Sequence, residues 1–215
     1  MKYYVGLDVS QEETHICVID EDDRKIWQGK CLSTPEAIGK LIQEHAPDAA
    51  KIGLETGNLS TYLWHGLNDM SLPVICIDAY HAHGVLKLRM NKTDKNDAHG
   101  LAQIMRSGWF KAVKVKSFAS HEVRALYRAR SSLVSMRSDV VNQIRGCLRV
   151  FGILIKGIAG VAFEKRVQEI IDEGGTLAAP LQAQLTVLQT IKKEIEELDE
   201  LVLDHSWACP SCRAL

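Results

Sequence analysis

Long apolar runs are missing from this sequence of 215 residues. None approaches the roughly 20 residues that a bilayer-spanning helix needs. The opening Met1-Lys2-Tyr3-Tyr4-Val5 is too brief in its apolar part for a secretory signal. Net charge is nearly absent as well, since 26 basic and 27 acidic side chains leave −1. Nor do the 6 cysteines suggest a disulfide framework, which a chain of this size without an export signal does not need. Hydrophobic residues at 46% and charged ones at 25% are the balance of an ordinary globular protein. Membrane-spanning, secreted and disordered classes are thereby excluded, and a cytoplasmic protein is expected.

The cysteines divide by context. Cys17, Cys31 and Cys76 sit in strand-like apolar runs and read as small buried hydrophobes. Only Cys209-Pro210-Ser211-Cys212 has metal-ligand spacing. That pair supplies two thiolates where a closed zinc site takes four ligands, and His205 would add a third. A loose tail is the preferred reading of that stretch.

The small net charge conceals a strong asymmetry. Residues 1–84 carry 6 basic and 13 acidic side chains, residues 85–166 carry 17 and 5, and residues 167–215 carry 3 and 9. A central block at +12 between acidic flanks is most simply explained by a polyanion partner, DNA or RNA. Lys87, Arg89, Lys92 and Lys95 form its first cluster. Lys111, Lys114 and Lys116 alternate like an edge strand or an extended loop. Arg124, Arg128, Arg130, Arg137, Arg145 and Arg149 decorate a long helix opposite its apolar stripe. Phosphate contacts of this kind give affinity without reading sequence. Trp109 and Phe110 could stack on bases, but an apolar pair beside a helix end more often packs in a core. His81, His83 and His99 are expected at the surface.

The first third alternates like a sheet with crossover helices. Apolar runs at 3–9, 15–20 and 25–31 read as three strands, with Glu21-Asp22-Asp23 as a hairpin turn. Thr34-Pro35-Glu36 opens a helix, with Thr34 as N-cap and proline at the first helical position. A fourth strand spans 50–55, a helix 60–70 and a fifth strand 73–78. A mixed α/β sheet covered by helices follows. Beyond Asp94 the strand signals stop. Residues 97–107 read as a helix ended by Gly108, and 120–150 as a long helix with Leu126, Leu133, Val140, Ile144, Cys147 and Phe151 on one stripe. A last helix from about Pro180 places Leu181, Leu185, Leu188, Ile191, Ile195, Leu198 and Val202 together. Its step of three at Leu188–Ile191 breaks strict heptad phase. An antiparallel helical arm, packed on itself or on a second subunit, is expected.

Four carboxylates carry the chemistry. Asp8 follows Gly6-Leu7 inside an apolar strand, where a lone carboxylate is costly unless paired or metal-bound. Glu55 closes the fourth strand, which can neighbour the first. Asp94 and Asp97 stand three apart at a helix start and share a face. Such a cluster would repel itself unless cations held it, and oxygen donors suit Mg2+ or Mn2+. Two such ions about 4 Å apart can activate a nucleophile and stabilise the leaving oxygen of a phosphodiester.

The motifs Tyr4-Val5-Gly6-Leu7-Asp8-Val9-Ser10, Leu54-Glu55-Thr56-Gly57 and Lys92-Thr93-Asp94-Lys95-Asn96-Asp97-Ala98 resemble the DEDD transposases of bacterial insertion sequences. Ile77-Asp78-Ala79-Tyr80-His81-Ala82 is similar to that family too, and the resemblance covers roughly residues 1–205. It implies an RNase H-like (RuvC-like) domain over 1–118 with Asp8, Glu55, Asp94 and Asp97 as a metal-binding tetrad. A coiled-coil arm over 119–205 and an irregular tail over 206–215 would follow. The family implies DNA transposition and recombination directed by a structured bridge RNA, homodimers or tetramers joined through the arm, and a serine nucleophile in a separate C-terminal domain. The sequence ends at Leu215 and is expected to lack that domain, so no serine, Ser206 and Ser211 included, is assigned as nucleophile.

Three other readings compete: a non-catalytic nucleic-acid-binding remnant, a RuvC-like nuclease, and an actin-like ATPase opening with Gly-x-Asp. The last holds phosphate on a glycine-bearing hairpin, whereas Val9-Ser10-Gln11-Glu12 follows Asp8 here and no second Asp-x-Gly-Gly occurs.

Overall fold

The computed structural model describes residues 2–86 and 94–208, and the chain divides at Phe118 and Ala119 into two compact units. In the first unit, β1 (Tyr3–Val9), β2 (Glu13–Ile19), β3 (Lys25–Leu32), β4 (Ala49–Glu55) and β5 (Val74–Ile77) form one sheet ordered β3-β2-β1-β4-β5. β1 pairs antiparallel with β2 and parallel with β4, so the central strand is also where strand direction changes. Parallel neighbours need a crossover. Helix α2 (Ser60–Asp69) supplies it between β4 and β5, and α1 (Pro35–His45) carries the chain from β3 back to β4. Thr34 caps α1 as expected, its hydroxyl accepting the Ala37 N–H at 3.3 Å. The β2–β3 turn forms because the buried Asp20 carboxylate accepts the N–H groups of Asp22 and Arg24 at 2.9 and 2.8 Å.

Strand alternation assigns the faces. Val5 and Leu7, Ile16 and Val18, and Ile52 and Leu54 pack with Ile38, Ile42, Leu63 and Leu67 of α1 and α2. Gly6 and Asp8, His15 and Cys17, and Gly53 and Glu55 therefore belong to the opposite face. There, α3 (Ala79–Leu86) is followed by α4 (Asp94–Ser107), whose Ala98 and Ala102 pack on Cys17 and Ile19. Leu101, Ile104 and Met105 pack on Ile77. Helix α4 starts three residues earlier than expected, at Asp94, and ends where Gly108 takes a φ of +75°. Cys17 and Cys76 are buried as the sequence suggested, while Cys31 is half-buried. Burial pushes the Cys76 thiol up to about 11, against a smaller lowering by its bond with Ser60.

Helix α4 rests directly on the backbone of β1. A Cβ at Gly6 would stand 2.1 Å from the Ala98 carbonyl oxygen and 2.4 Å from the Ala102 nitrogen. Gly53, the register partner of Gly6 on β4, likewise accommodates Met105. Glycine in a strand interior costs stability unless close approach requires it, and here it does.

The second unit holds α5 (Phe118–Val150), α6 (Gly160–Asp172) and α7 (Ala178–Ala208). Its core joins Ile144 and Leu148 of α5, Phe163, Val167 and Ile170 of α6, and Leu181, Leu185 and Leu188 of α7. Helix α6 was not expected, so the arm is a three-helix packing at this end rather than a simple hairpin. Phe151, placed on the α5 stripe by its spacing, is 57% exposed because the helix ends at Val150 and Gly152 turns the chain at φ +77°. Helix α7 continues through Ser206 and Trp207 to Ala208, into the stretch expected to be an irregular tail, and residues 209–215, with Cys209 and Cys212, lie outside those described. Arg130 grips Asp199 through Nε and, at 3.3 Å, through Nη2, fixing α5 against α7 in antiparallel register.

Two measurements test this packing. Gly6→Ala drives a methyl into helix backbone, and overpacking of that kind costs about 1–3 kcal/mol. Gly57→Ala, where nothing lies within 4 Å of the new methyl, serves as control and is expected to stay within about 0.5 kcal/mol of wild type by urea denaturation. Equal midpoints for the two variants would refute the close approach. The second concerns pH. Arg130 holds the Asp199 carboxyl below its ordinary value through a charged hydrogen bond. The pair therefore stabilises above the unfolded carboxylate pKa of about 3.9, and this contribution is lost as pH falls through the lower folded value. The melting-temperature gap between wild type and Asp199→Asn is expected to close on acidification below that value. A gap independent of pH would show that the pair contributes nothing electrostatic.

Candidate active site at the carboxyl ends of the central strands

Asp8 is the penultimate residue of β1 and Glu55 the last residue of β4. Leu7 pairs with Leu54, so the two carboxylates occupy the next equivalent positions on adjacent parallel strands. Strands in a sheet lie about 4.8 Å apart, which puts these side chains next to each other on the α4 face. Both are half-buried and both line an open cleft of about 360 Å³, with Ser10, Gln11, Thr56, Gly57 and Asn58 around it.

The rim is tied down by short bonds. The Ser10 hydroxyl donates to the Glu13 carbonyl at 2.6 Å, and the Ser33 hydroxyl donates to the Ser10 carbonyl at 2.8 Å. Thr56 Oγ1 accepts the Ala79 N–H at 3.1 Å, and the Asp78 carboxylate accepts the Tyr80 N–H at 2.8 Å. Two of the quoted motifs thus meet at this rim, one through Thr56 and the other through Asp78 and Ala79.

Helix α4 brings the third acidic position toward the same end. Gln103 Nε2 donates to the Asp23 carboxylate at 2.5 Å, and Arg106 donates to the Glu21 carbonyl at 3.2 Å. Both acceptors lie in the β2–β3 turn, beyond the Tyr4–Ile19 pair and so at the end of the sheet opposite Asp8. With Ala98 over Gly6, the first turn of α4, which includes Asp97, extends toward the Asp8 end. The side chains of Asp94 and Lys95 lie outside the described residues, as do Lys87, Arg89 and Lys92. Among the described residues no group of three or more His, Cys, Asp or Glu side chains converges as a metal site.

His15 is a neighbour that sequence reasoning missed. It stands opposite Asp8 in the antiparallel β1–β2 register, and directly opposed residues project to one face. The signal was present in the strand alternation but required knowing the register. His99 departs from its expected surface position. It packs part-buried with Nε2 at 3.6 Å from Asp23, whose φ is +68°.

The basic residues separate into free and engaged groups. Lys111, Lys114 and Lys116 are exposed on an extended segment that bridges β5 through Val113 N–H to Cys76 O at 2.8 Å. Arg124, Arg128, Arg137 and Arg149 are exposed along α5. Arg130 and Arg145 are half-buried and already engaged. Asp199 engages the first, and the second donates to the Ile158 carbonyl at 2.6 Å. Trp109 reverses its expected core placement at 83% exposure, while Phe110 packs against the Ile77–Leu101 cluster.

The chain is 25% identical over 204 residues, 94% of its length, to the transposase for insertion sequence element IS1111A of Coxiella burnetii, and covers 53% of that protein. It is 30% identical over 112 residues, half of its length, to a probable family 20 transposase of Pseudomonas aeruginosa, covering 32% of it. It thus spans about half or less of these relatives. The transposase family model for IS110-type DEDD proteins matches residues 5–153. That match takes in the sheet, α4 and the whole of α5, and by it the chain belongs to the IS110 family of DEDD transposases.

Proposed function

We propose that this chain is the acidic, nucleic-acid-binding part of a DNA transposase that cleaves and exchanges phosphodiester strands. The observation that carries the reading is that Asp8 and Glu55 directly follow the Leu7–Leu54 register pair on adjacent parallel strands, on the face where α4 packs. Adjacent carboxylates in a half-buried cleft repel one another, and their all-oxygen donor set suits a hard divalent cation. Asp8, Glu55, Asp94 and Asp97 would hold Mg2+ or Mn2+, which when bound would supply Lewis-acid stabilisation at a phosphodiester. The chain's own contribution is to orient the donors: Gly6 lets α4 lie close to β1, and the Ser10 and Thr56 bonds fix the strand ends. A serine nucleophile in a further domain, as the family resemblance implies, would complete the exchange.

The exposed cations supply the grip on DNA, and a structured bridge RNA would direct it. Lys111, Lys114, Lys116, Arg124, Arg128, Arg137 and Arg149 present positive charge on extended and helical surfaces suited to phosphates. The arm also leaves apolar side chains uncovered, among them Val123, Tyr127 and Met136 on α5 and Leu201, Leu203 and Trp207 on α7. Their exposure supports assembly of a homodimer or tetramer through the arm, since burial between subunits would remove this apolar surface from water.

Two experiments test the reading. Mg2+ or Mn2+ is expected to raise the melting temperature of wild type by mass action, worth about 2.7 kcal/mol at a hundredfold excess over Kd. Asp8→Asn and Glu55→Gln are expected to abolish the increment, and an undiminished shift in both would remove the shared site. For nucleic acid, log affinity should fall with log salt at about −0.9 per phosphate contact on duplex DNA. Replacing Arg124, Arg128 and Arg149 together by alanine is expected to flatten that slope by roughly two to three units. Arg130→Ala should leave it unchanged, because Asp199 already neutralises that side chain. Identical slopes for the triple variant and wild type would reject the helical contact surface.

A further inference from the structure

The helical unit contains a second cleft of about 390 Å³, formed where α5, α6 and α7 come together. Arg137, Arg145 and Lys192 line it with one carboxylate, Glu164, so it holds a formal excess of two positive charges. Glu164 is already committed, since Lys192 Nζ donates to it at 2.6 Å. The carboxylate therefore cannot also neutralise both arginines.

Arg145 is the unusual member. Its Nη2 donates to the Ile158 carbonyl at 2.6 Å, and its guanidinium lies 5.2 Å from the centre of the buried Phe163 ring. These two contacts hold the head group in place, yet its Nε is buried and has no hydrogen-bond partner among the described residues. A buried charged donor left unsatisfied is costly, and a native structure rarely keeps one without a ligand or solvent to complete it. Ala159 and Gly160 line the same cleft, and Gly160 opens α6 with no side chain capping it. The first N–H groups of that helix thus add to the positive potential. The rest of the lining is different: Val141, Phe163 and Leu188 are apolar. An ion alone would leave that wall bare.

We infer that this cleft binds a nucleotide, with its phosphate between Arg137, Arg145 and the α6 N-terminus and its base or sugar against the apolar wall. The volume lies within the range of small-ligand sites. The inference rests on the nucleic-acid reading above and deepens it. It adds a pocket that takes one nucleotide, where the other exposed arginines of α5 only track a backbone.

Calorimetric titration of the full chain with 5′-AMP, adenosine and inorganic phosphate tests it. AMP is expected to bind saturably, at least tenfold more tightly than adenosine and more tightly than inorganic phosphate. Arg137→Ala, at an exposed position that leaves the core untouched, and Arg145→Lys, which keeps the charge but loses Nε, are each expected to weaken AMP roughly tenfold, the scale of one charged hydrogen bond. Inorganic phosphate binding as tightly as AMP would overturn the nucleotide assignment. AMP and adenosine binding alike, or AMP affinity unmoved in both variants, would overturn the site. Duplex DNA titrated in parallel separates the two readings. If DNA binds with a normal salt slope and AMP does not bind, the cleft inference alone falls. If AMP binds and neither DNA nor a structured RNA does, the cleft stands and the nucleic-acid function falls.

Discussion

Helix α4 touches the backbone of β1, and most of what matters in the first unit depends on that approach. Helices normally sit on sheets through a layer of side chains. Here Gly6 contributes none, and Ala98 and Ala102 contribute one methyl each. The gain is positional, because a helix seated on backbone has little freedom to slide or rotate. Gln103 and Arg106 then tether its far end to the β2–β3 turn. Asp97, in its first turn, is thereby held in a fixed relation to β1 and β4.

The sheet supplies the complementary half of that positioning. Asp8 and Glu55 are polar residues at the ends of strands whose preceding residues are fully buried. Val5, Leu7, Ile52 and Leu54 anchor the opposite face in the α1–α2 core. Each carboxylate therefore emerges from a rigid support into a cleft bounded by short, hydrogen-bonded loops. Ligand sites in open α/β sheets favour the carboxyl ends of parallel strands, and Asp8 and Glu55 stand at those ends of the parallel pair β1 and β4.

Features that arise from neighbours in the chain are legible in the sequence. Strand alternation located all five strands, and Thr34-Pro35 marked the start of α1 because capping involves neighbours in the chain. Asp8 and Glu55 could be singled out because a carboxylate at the end of an apolar run is conspicuous. Features that depend on distant partners were missed. Arg130 and Arg145 looked like solvated charges since nothing nearby in sequence announces Asp199 or the Ile158 carbonyl. His15 joins Asp8 only through the β1–β2 register. Helix α6 lies between Gly157 and Gly160 on one side and Gly174 and Gly175 on the other, and its apolar stripe is satisfied only by residues of α5 and α7 distant in sequence.

The alternation along β1 has a stereochemical consequence. Gly6 and Asp8 must share parity, since one admits the helix and the other must meet it on the same side of the sheet. Inserting or deleting a single residue between Gly6 and Asp8 would send one of them through to the α1–α2 layer. A carboxylate would then stand among Ile38, Leu63 and Leu67, or a bulkier side chain would meet α4. The register between β1 and β4 does shift, but at Tyr3/Tyr4, upstream of both critical positions. Length can therefore vary in the turns and at the start of this strand, while the interval from Gly6 to Asp8 behaves as a fixed, even-numbered ruler.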